Sequence, residues 1–159
     1  MQYSSCRPAA IYCFNTVNNI FLFSDELRYK SDPILIETIR TNANKKKMKG
    51  ISGLTILDKE LFVVSQESSE VEVYDSMKFS FNRQWKLREL IDPWDIASCK
   101  RNKCLYIFDY ISFNQSKEIS RVDPNGKLIK KWSTGNDYGW SLSVTDESNV
   151  ILTVNKKIN

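Results

Sequence analysis

Two cysteines, two tryptophans, a lysine run and scattered carboxylates are the side chains of this 159-residue chain with the clearest capacity for chemistry. Cys99 and Cys104 flank Lys100-Arg101-Asn102-Lys103. On a hairpin with a four-residue loop they would face each other, with Cβ atoms about 4.5–5.5 Å apart, so modest adjustment would permit a disulfide. Closing so small a loop stabilises by roughly 2 kcal/mol on the chain-entropy model. In a reducing compartment the pair stays as thiols, packed as small hydrophobes. Cys6 and Cys13, the remaining cysteines, have no partner at metal-ligand spacing, and the chain has no histidine. Ser-His-Asp and Cys-His catalysis within the chain is therefore excluded, and common zinc sites would need Cys and carboxylates alone. No metal site and no cofactor is expected.

The net charge is +4, and its excess is local. Residues 1–49 carry 8 Lys and Arg against 4 Asp and Glu, while residues 50–159 carry 15 against 15. Lys45, Lys46, Lys47 and Lys49 alone account for the difference. A solvated basic loop explains such a cluster; a nucleic-acid binder usually presents a wider basic face. No stretch approaches the roughly 20 apolar residues of a membrane span. The N-terminus lacks the charged start and apolar core of a signal peptide. A cytoplasmic location follows as the expectation, with no membrane partner.

Trp94 and Trp140 each stand two residues ahead of an apolar run, and those runs belong to a repeat. Ile11–Phe14, Leu54–Leu57, Ile96–Cys99 and Leu142–Thr145 start at 11, 54, 96 and 142, so the pattern returns every 42 to 46 residues. Each is followed by a second run: Ile20–Phe23, Leu61–Val64, Leu105–Phe108 and Val150–Val154. A period near 43 built of short strands is the signature of a propeller blade. The second repeat continues with Val71–Tyr74 and a strand around Phe79–Trp85. The third continues with Ile119–Val122, the turn Asp123-Pro124-Asn125-Gly126 and Lys127–Trp132. In the first repeat Pro33–Arg40 fits a returning outer strand, with a short helix over 34–49 as the alternative. All five glycines fall in or beside predicted turns and inter-blade loops.

The expected fold is all-β: a partial β-propeller of three four-stranded blades plus half of a fourth. The single domain 1–159 divides into repeats at about 8–49, 50–91, 92–138 and 139–159. Closed propellers carry four to eight blades. A fragment of a six-bladed propeller is preferred over an open arc that pairs with another chain and over a four-bladed closure. The open last blade offers an edge for self-association.

The stretches Asp92–Ala97, Cys104–Asp109, Ile119–Leu128 and Trp140–Thr145 carry a resemblance. Their opening turn, apolar inner strand, strand ending in Asp and strand leading to Asn-Gly resemble NHL-type and TolB-like six-bladed propellers, and more narrowly uncharacterised propeller proteins of invertebrates. The resemblance covers residues 50–159 well and 1–49 weakly. It implies a fold rather than a chemistry. Members of the wider family include protein-binding and RNA-binding modules and a few lactonases and lyases.

In such a propeller the loops from outer to inner strand and from second to third strand share one ligand-binding face. Trp94 and Trp140 belong there as an aromatic anchor, or else wedge between blades as core. Asp95, Asp109, Tyr110, Asp137, Gln66 and Glu67 are expected beside them. Those oxygens would serve a calcium-dependent lactonase, but no acidic position recurs between repeats in a way that converges on one ion. Three functions stay open. A non-enzymatic protein- or peptide-binding module needs no catalytic constellation. An RNA-binding module would use the four lysines with Arg83, Lys86 and Arg88 on phosphates. A calcium-dependent lactonase or a lyase would need groups from further blades.

Overall fold

A computed structural model describes residues 10–12, 19–24, 34–40, 50–111, 116–135 and 138–155, with side chains over 50–110, 117–135 and 141–153. Every regular element among them is a strand. β1 (Ala10–Tyr12), β2 (Asn19–Ser24) and β3 (Ile34–Arg40) form one antiparallel sheet in chain order. β4 (Ile51–Leu57), β5 (Glu60–Ser65), β6 (Glu70–Asp75) and β7 (Phe81–Lys86) form the second. β8 (Pro93–Cys99), β9 (Cys104–Ile111), β10 (Ser116–Val122) and β11 (Leu128–Ser133) form the third. β12 (Tyr138–Val144) and β13 (Val150–Asn155) pair as the last. The chain is an arc of a β-propeller.

The second and third sheets follow the predicted strands with small shifts at their ends. The outer strand of the second begins at Phe81 and not at Phe79. Phe79 has φ +53° and its N–H donates to the Asp75 carbonyl, so it closes a turn. Two expectations for the first repeat need correcting. Residues 34–40 are a strand, so no helix covers them. That strand pairs directly with β2, Ile20 opposite Ile39, and is therefore the third strand of its sheet and not a returning outer one.

Alternation divides the core. In β5, Phe62 and Val64 join one buried cluster while Leu61 and Val63 join another. In β9, Leu105 and Ile107 pack toward the second sheet, with Leu57, Phe62 and Val73. Tyr106 and Phe108 point the other way, onto Leu142 and Leu152 of the last pair. β5 and β9 are buried on both faces, as strands between stacked sheets must be. About 25 cal/mol per Å² of apolar surface withdrawn from water drives this stacking.

Strands β4, β8 and β12 lie side by side as the innermost strands and are cross-linked by polar groups. Thr55 Oγ1 donates to Ser98 Oγ (3.0 Å), and Ser98 Oγ donates to the Ile56 carbonyl (2.8 Å). Each inner strand carries an extra residue near its start. The register slips between Ile51 and Gly53, between Pro93 and Asp95, and between Gly139 and Ser141. The inserted residues are Ser52, Trp94 and Trp140. A bulge re-aims the side chain it carries, so three equivalent positions at one end of the inner strands are set apart from the ladder.

Candidate functional site

Trp94 is the described aromatic at these bulges. Its side chain is half-buried and packs in part on the cluster holding Ala97, Phe108 and Leu142. Its indole Nε1–H donates to Asp92 Oδ2 (3.1 Å), and its ring meets Tyr110 edge-on, with centroids 5.7 Å apart and planes at 68°. Both aromatics are thus fixed before any ligand arrives. Edge-to-face contacts of this kind contribute about 0.5–1.5 kcal/mol beyond burial. Lys117, itself buried, brings its Nζ to 5.9 Å from the Tyr110 ring centroid, on the outer limit of a cation–π contact.

Asp92 organises the loops around this pair. Its Oδ1 accepts the Glu67 N–H (2.8 Å) from the β5–β6 loop, while its Oδ2 holds Trp94. Its own carbonyl accepts the Tyr110 N–H (3.0 Å). One residue of the β7–β8 linker therefore ties a neighbouring loop, the bulge and β9 together. Glu67, whose N–H Asp92 accepts, and Ile91, the residue before Asp92, are both exposed.

Two residues expected on the rim are placed otherwise. Asp109 is fully buried. Strand β9 runs on to Ile111, which sets Asp109 opposite Pro93 inside the ladder and beneath the linker. Its carboxylate accepts N–H groups of Asp92 (2.8 Å) and Ile91 (3.1 Å). Burial pushes its carboxyl above the ordinary 3.8, against the pull of these amides and of Lys131. Asp95 is engaged in the seam between inner strands. Its Oδ2 accepts Leu142 N–H (2.7 Å) and Ser141 Oγ–H (2.9 Å), and its Oδ1 accepts Ile96 N–H (2.8 Å). Neither carboxylate is presented to a partner; both hold backbone. Asp92 and Lys117, which the sequence reading did not single out, take their place beside Trp94 and Tyr110.

The Trp140 backbone occupies the bulge equivalent to Trp94 in β12; its side chain lies outside the described residues, as does Asp137. Lys45, Lys46, Lys47 and Lys49 also lie outside them. Of the other expected phosphate contacts, Arg83 is committed to an ion pair with Glu60 and to the Pro124 carbonyl (3.1 Å). Lys86 and Arg88 are exposed. Among the described residues no three His, Cys, Asp or Glu side chains gather as metal ligands. No helix among them is long and apolar enough to cross a membrane.

At the opposite end of the inner strands, Cys99 and Cys104 are directly opposed in the β8–β9 register. Both are buried free thiols, so the candidate disulfide is open in this structure.

No protein-family model matches the chain, and no curated protein matches it. Solved structures do. Myxococcus xanthus glutaminyl cyclase superposes with a TM-score of 0.62 at 11% identity, over 86% of this chain and 60% of that one. A Bacteroides caccae protein of unknown function gives 0.60 at 7%, over 91% and 49%. Kuenenia stuttgartiensis hydrazine synthase gives 0.54 at 18%, over 72% and 32%. The chain spans less than two thirds of each of these proteins. Likeness at such identities shows a propeller-type fold and nothing finer.

Proposed function

We propose that this chain is an arc of a six-bladed, NHL-type or TolB-like propeller that works in the cytoplasm as a non-enzymatic docking module for a protein or peptide. One observation carries the reading: the Trp94 indole is held half-buried at an inner-strand bulge by Asp92 and Tyr110. A tryptophan already fixed in its rotamer spares the ordering cost of about 0.5–1.5 kcal/mol that a mobile side chain incurs on binding. Trp94 and Tyr110 supply aromatic surface, Ile91 adds apolar area, and Glu67 adds negative charge at the margin. The matching partner is a peptide with apolar and basic side chains in alternation. The two carboxylates nearby support binding over catalysis, because Asp95 and Asp109 already accept backbone amides.

The test is an array of apolar-basic peptides, with hits titrated calorimetrically against the wild type, Trp94→Ala and Met77→Ala. Met77 is exposed on a turn remote from Trp94 in sequence and serves as a control. The expected result is loss of about thirtyfold or more in affinity for Trp94→Ala, equivalent to about 2 kcal/mol, with Met77→Ala unchanged. A folded Trp94→Ala that binds like the wild type defeats the reading. Binding that falls steeply with salt and prefers RNA to every peptide would replace it.

A further inference from the structure

The far end of the third sheet gathers the other reactive groups of the described chain. Cys99 and Cys104 close the β8–β9 hairpin face to face, and both are buried. The loop between them, Lys100-Arg101-Asn102-Lys103, is exposed over its first three residues and at Lys103, with three cationic side chains. Arg121, from β10, stands opposite Tyr106 in the register, two residues along β9 from Cys104, and its buried Nε–H has no hydrogen-bond partner. The Ser148 hydroxyl reaches toward Cys99 from the β12–β13 turn. It too is buried without a hydrogen bond of regular geometry. Two buried donors left without full partners, from two different elements, beside two thiols are costly in a purely structural packing site. They suit a site where negative charge develops on sulfur or on a leaving oxygen.

We propose that Cys99 and Cys104 form a hydroperoxide-reactive dithiol, with Cys99 as the attacking sulfur and Cys104 as the resolving one. Burial raises the Cys99 thiol, but the Ser148 hydroxyl, the Asn102 and Arg101 amides and the Cys104 thiol outweigh it and hold Cys99 below its ordinary value. Such donors favour the thiolate, which is the nucleophile. The burial selects the oxidant: a small hydroperoxide can reach a sulfur that a bulky disulfide cannot.

The Cys99 thiolate attacks one peroxide oxygen; an S–O bond forms, the O–O bond breaks, and the departing alkoxide or hydroxide takes a proton from solvent. Cys99 becomes a sulfenic acid, oxidised by two electrons. The Cys104 sulfur then attacks Cys99 sulfur; the S–S bond forms, the S–O bond breaks, and hydroxide leaves with the Cys104 proton as water. The sum is two thiols and one hydroperoxide giving one disulfide, one alcohol or water, and one further water. Opposed Cβ atoms at about 4.5–5.5 Å must close to about 3.5–4.5 Å, so the hairpin pinches. A bridge formed under such strain is readily reduced, which makes the couple reversible.

The experiment treats the full chain with one equivalent of hydrogen peroxide in the presence and absence of a sulfenate-trapping dione, followed by peptide mass mapping. In the wild type the product expected is a Cys99–Cys104 bridge. In Cys104→Ser, trapped sulfenate is expected on Cys99, at least about tenfold faster than on Cys99 of the urea-unfolded chain. In Cys99→Ser, Cys104 is expected to stay reduced. Arg121→Gln should slow bridge formation in the wild-type background without slowing sulfenate formation at Cys99. Oxidation of native Cys99 slower than that of the unfolded chain would overturn the proposal and make the pair inert core. Sulfenate that accumulates in the wild type without a bridge would overturn it as well.

Discussion

A methyl group on Gly53 would lie 2.7 Å from Asp95 Oδ1 and 2.9 Å from Asp95 Cα, so the inner strands of neighbouring sheets meet at van der Waals limit where this glycine sits. The glycine lies inside β4, at its bulge, and not in a turn as its residue type suggests. Its lack of a side chain is what lets Asp95 stand in the seam. Gly53→Ala is expected to destabilise the fold by about 1–3 kcal/mol through overpacking. Urea unfolding followed by circular dichroism reads this as a lower midpoint. An unchanged midpoint would mean that the seam is loose.

Asp95 bridges to the next inner strand, and its loss leaves the Leu142 N–H and Ser141 hydroxyl without their acceptor. Asp95→Ala should cost about 1–3 kcal/mol, most of it from the stranded amide. Asp95→Asn retains one acceptor oxygen and should cost less. Amide hydrogen exchange gives a local check, because Leu142 should exchange faster in Asp95→Ala while β5 amides keep their protection. Equal exchange in wild type and variant would show that the carboxylate does not restrain β12.

Asp109 sets a pH dependence with a defined sign. Burial raises its carboxyl in the folded chain, while the unfolded chain returns it to the ordinary 3.8. The stability contributed by its proton is complete below pH 3.8 and disappears as pH rises through the folded value. Asp109→Asn cannot lose that proton. The stability difference between variant and wild type should therefore shift in favour of Asp109→Asn over that interval and then level off. Urea midpoints of both proteins across the acidic range measure it, and a constant difference would show that the buried carboxylate titrates normally.

Trp94→Phe separates ring from indole N–H. The phenyl ring keeps the contact with Tyr110 but cannot donate to Asp92. Affinity for an apolar-basic peptide should fall less than in Trp94→Ala, by about tenfold or under. Asp92→Ala should weaken binding through the other end of the same hydrogen bond, although Asp92 need not touch the peptide. If Asp92→Ala binds normally, the fixed orientation of the indole is irrelevant to docking.

The strands were legible because short apolar runs return every 42 to 46 residues between recognisable turns. Cys99 and Cys104 were legible as opposed residues for the same reason, since two strands and a four-residue loop define their register. Asp109 was misread as a rim residue because it directly follows the apolar run Leu105–Phe108, where the strand was expected to stop. Parity held the contrary signal: Leu105, Ile107 and Asp109 alternate onto one face, and two of the three are core. What parity could not supply was the linker folding back with its Ile91 and Asp92 amides, a contact between segments distant in the chain. The bulge at Trp94 was equally hidden, because an inserted residue leaves composition unchanged and appears only when two strands are paired.

The two-sided burial of β9 bears on how such a chain can change over generations. Deleting one residue within β9 would exchange Leu105 and Ile107 for Tyr106 and Phe108 across the sheet and spoil both neighbouring clusters together. Copying a whole repeat disturbs almost nothing, because the added sheet offers both neighbours the faces they already fit. Length variation among descendants of this gene should therefore come in steps of one blade, with single-codon gains and losses confined to the turns.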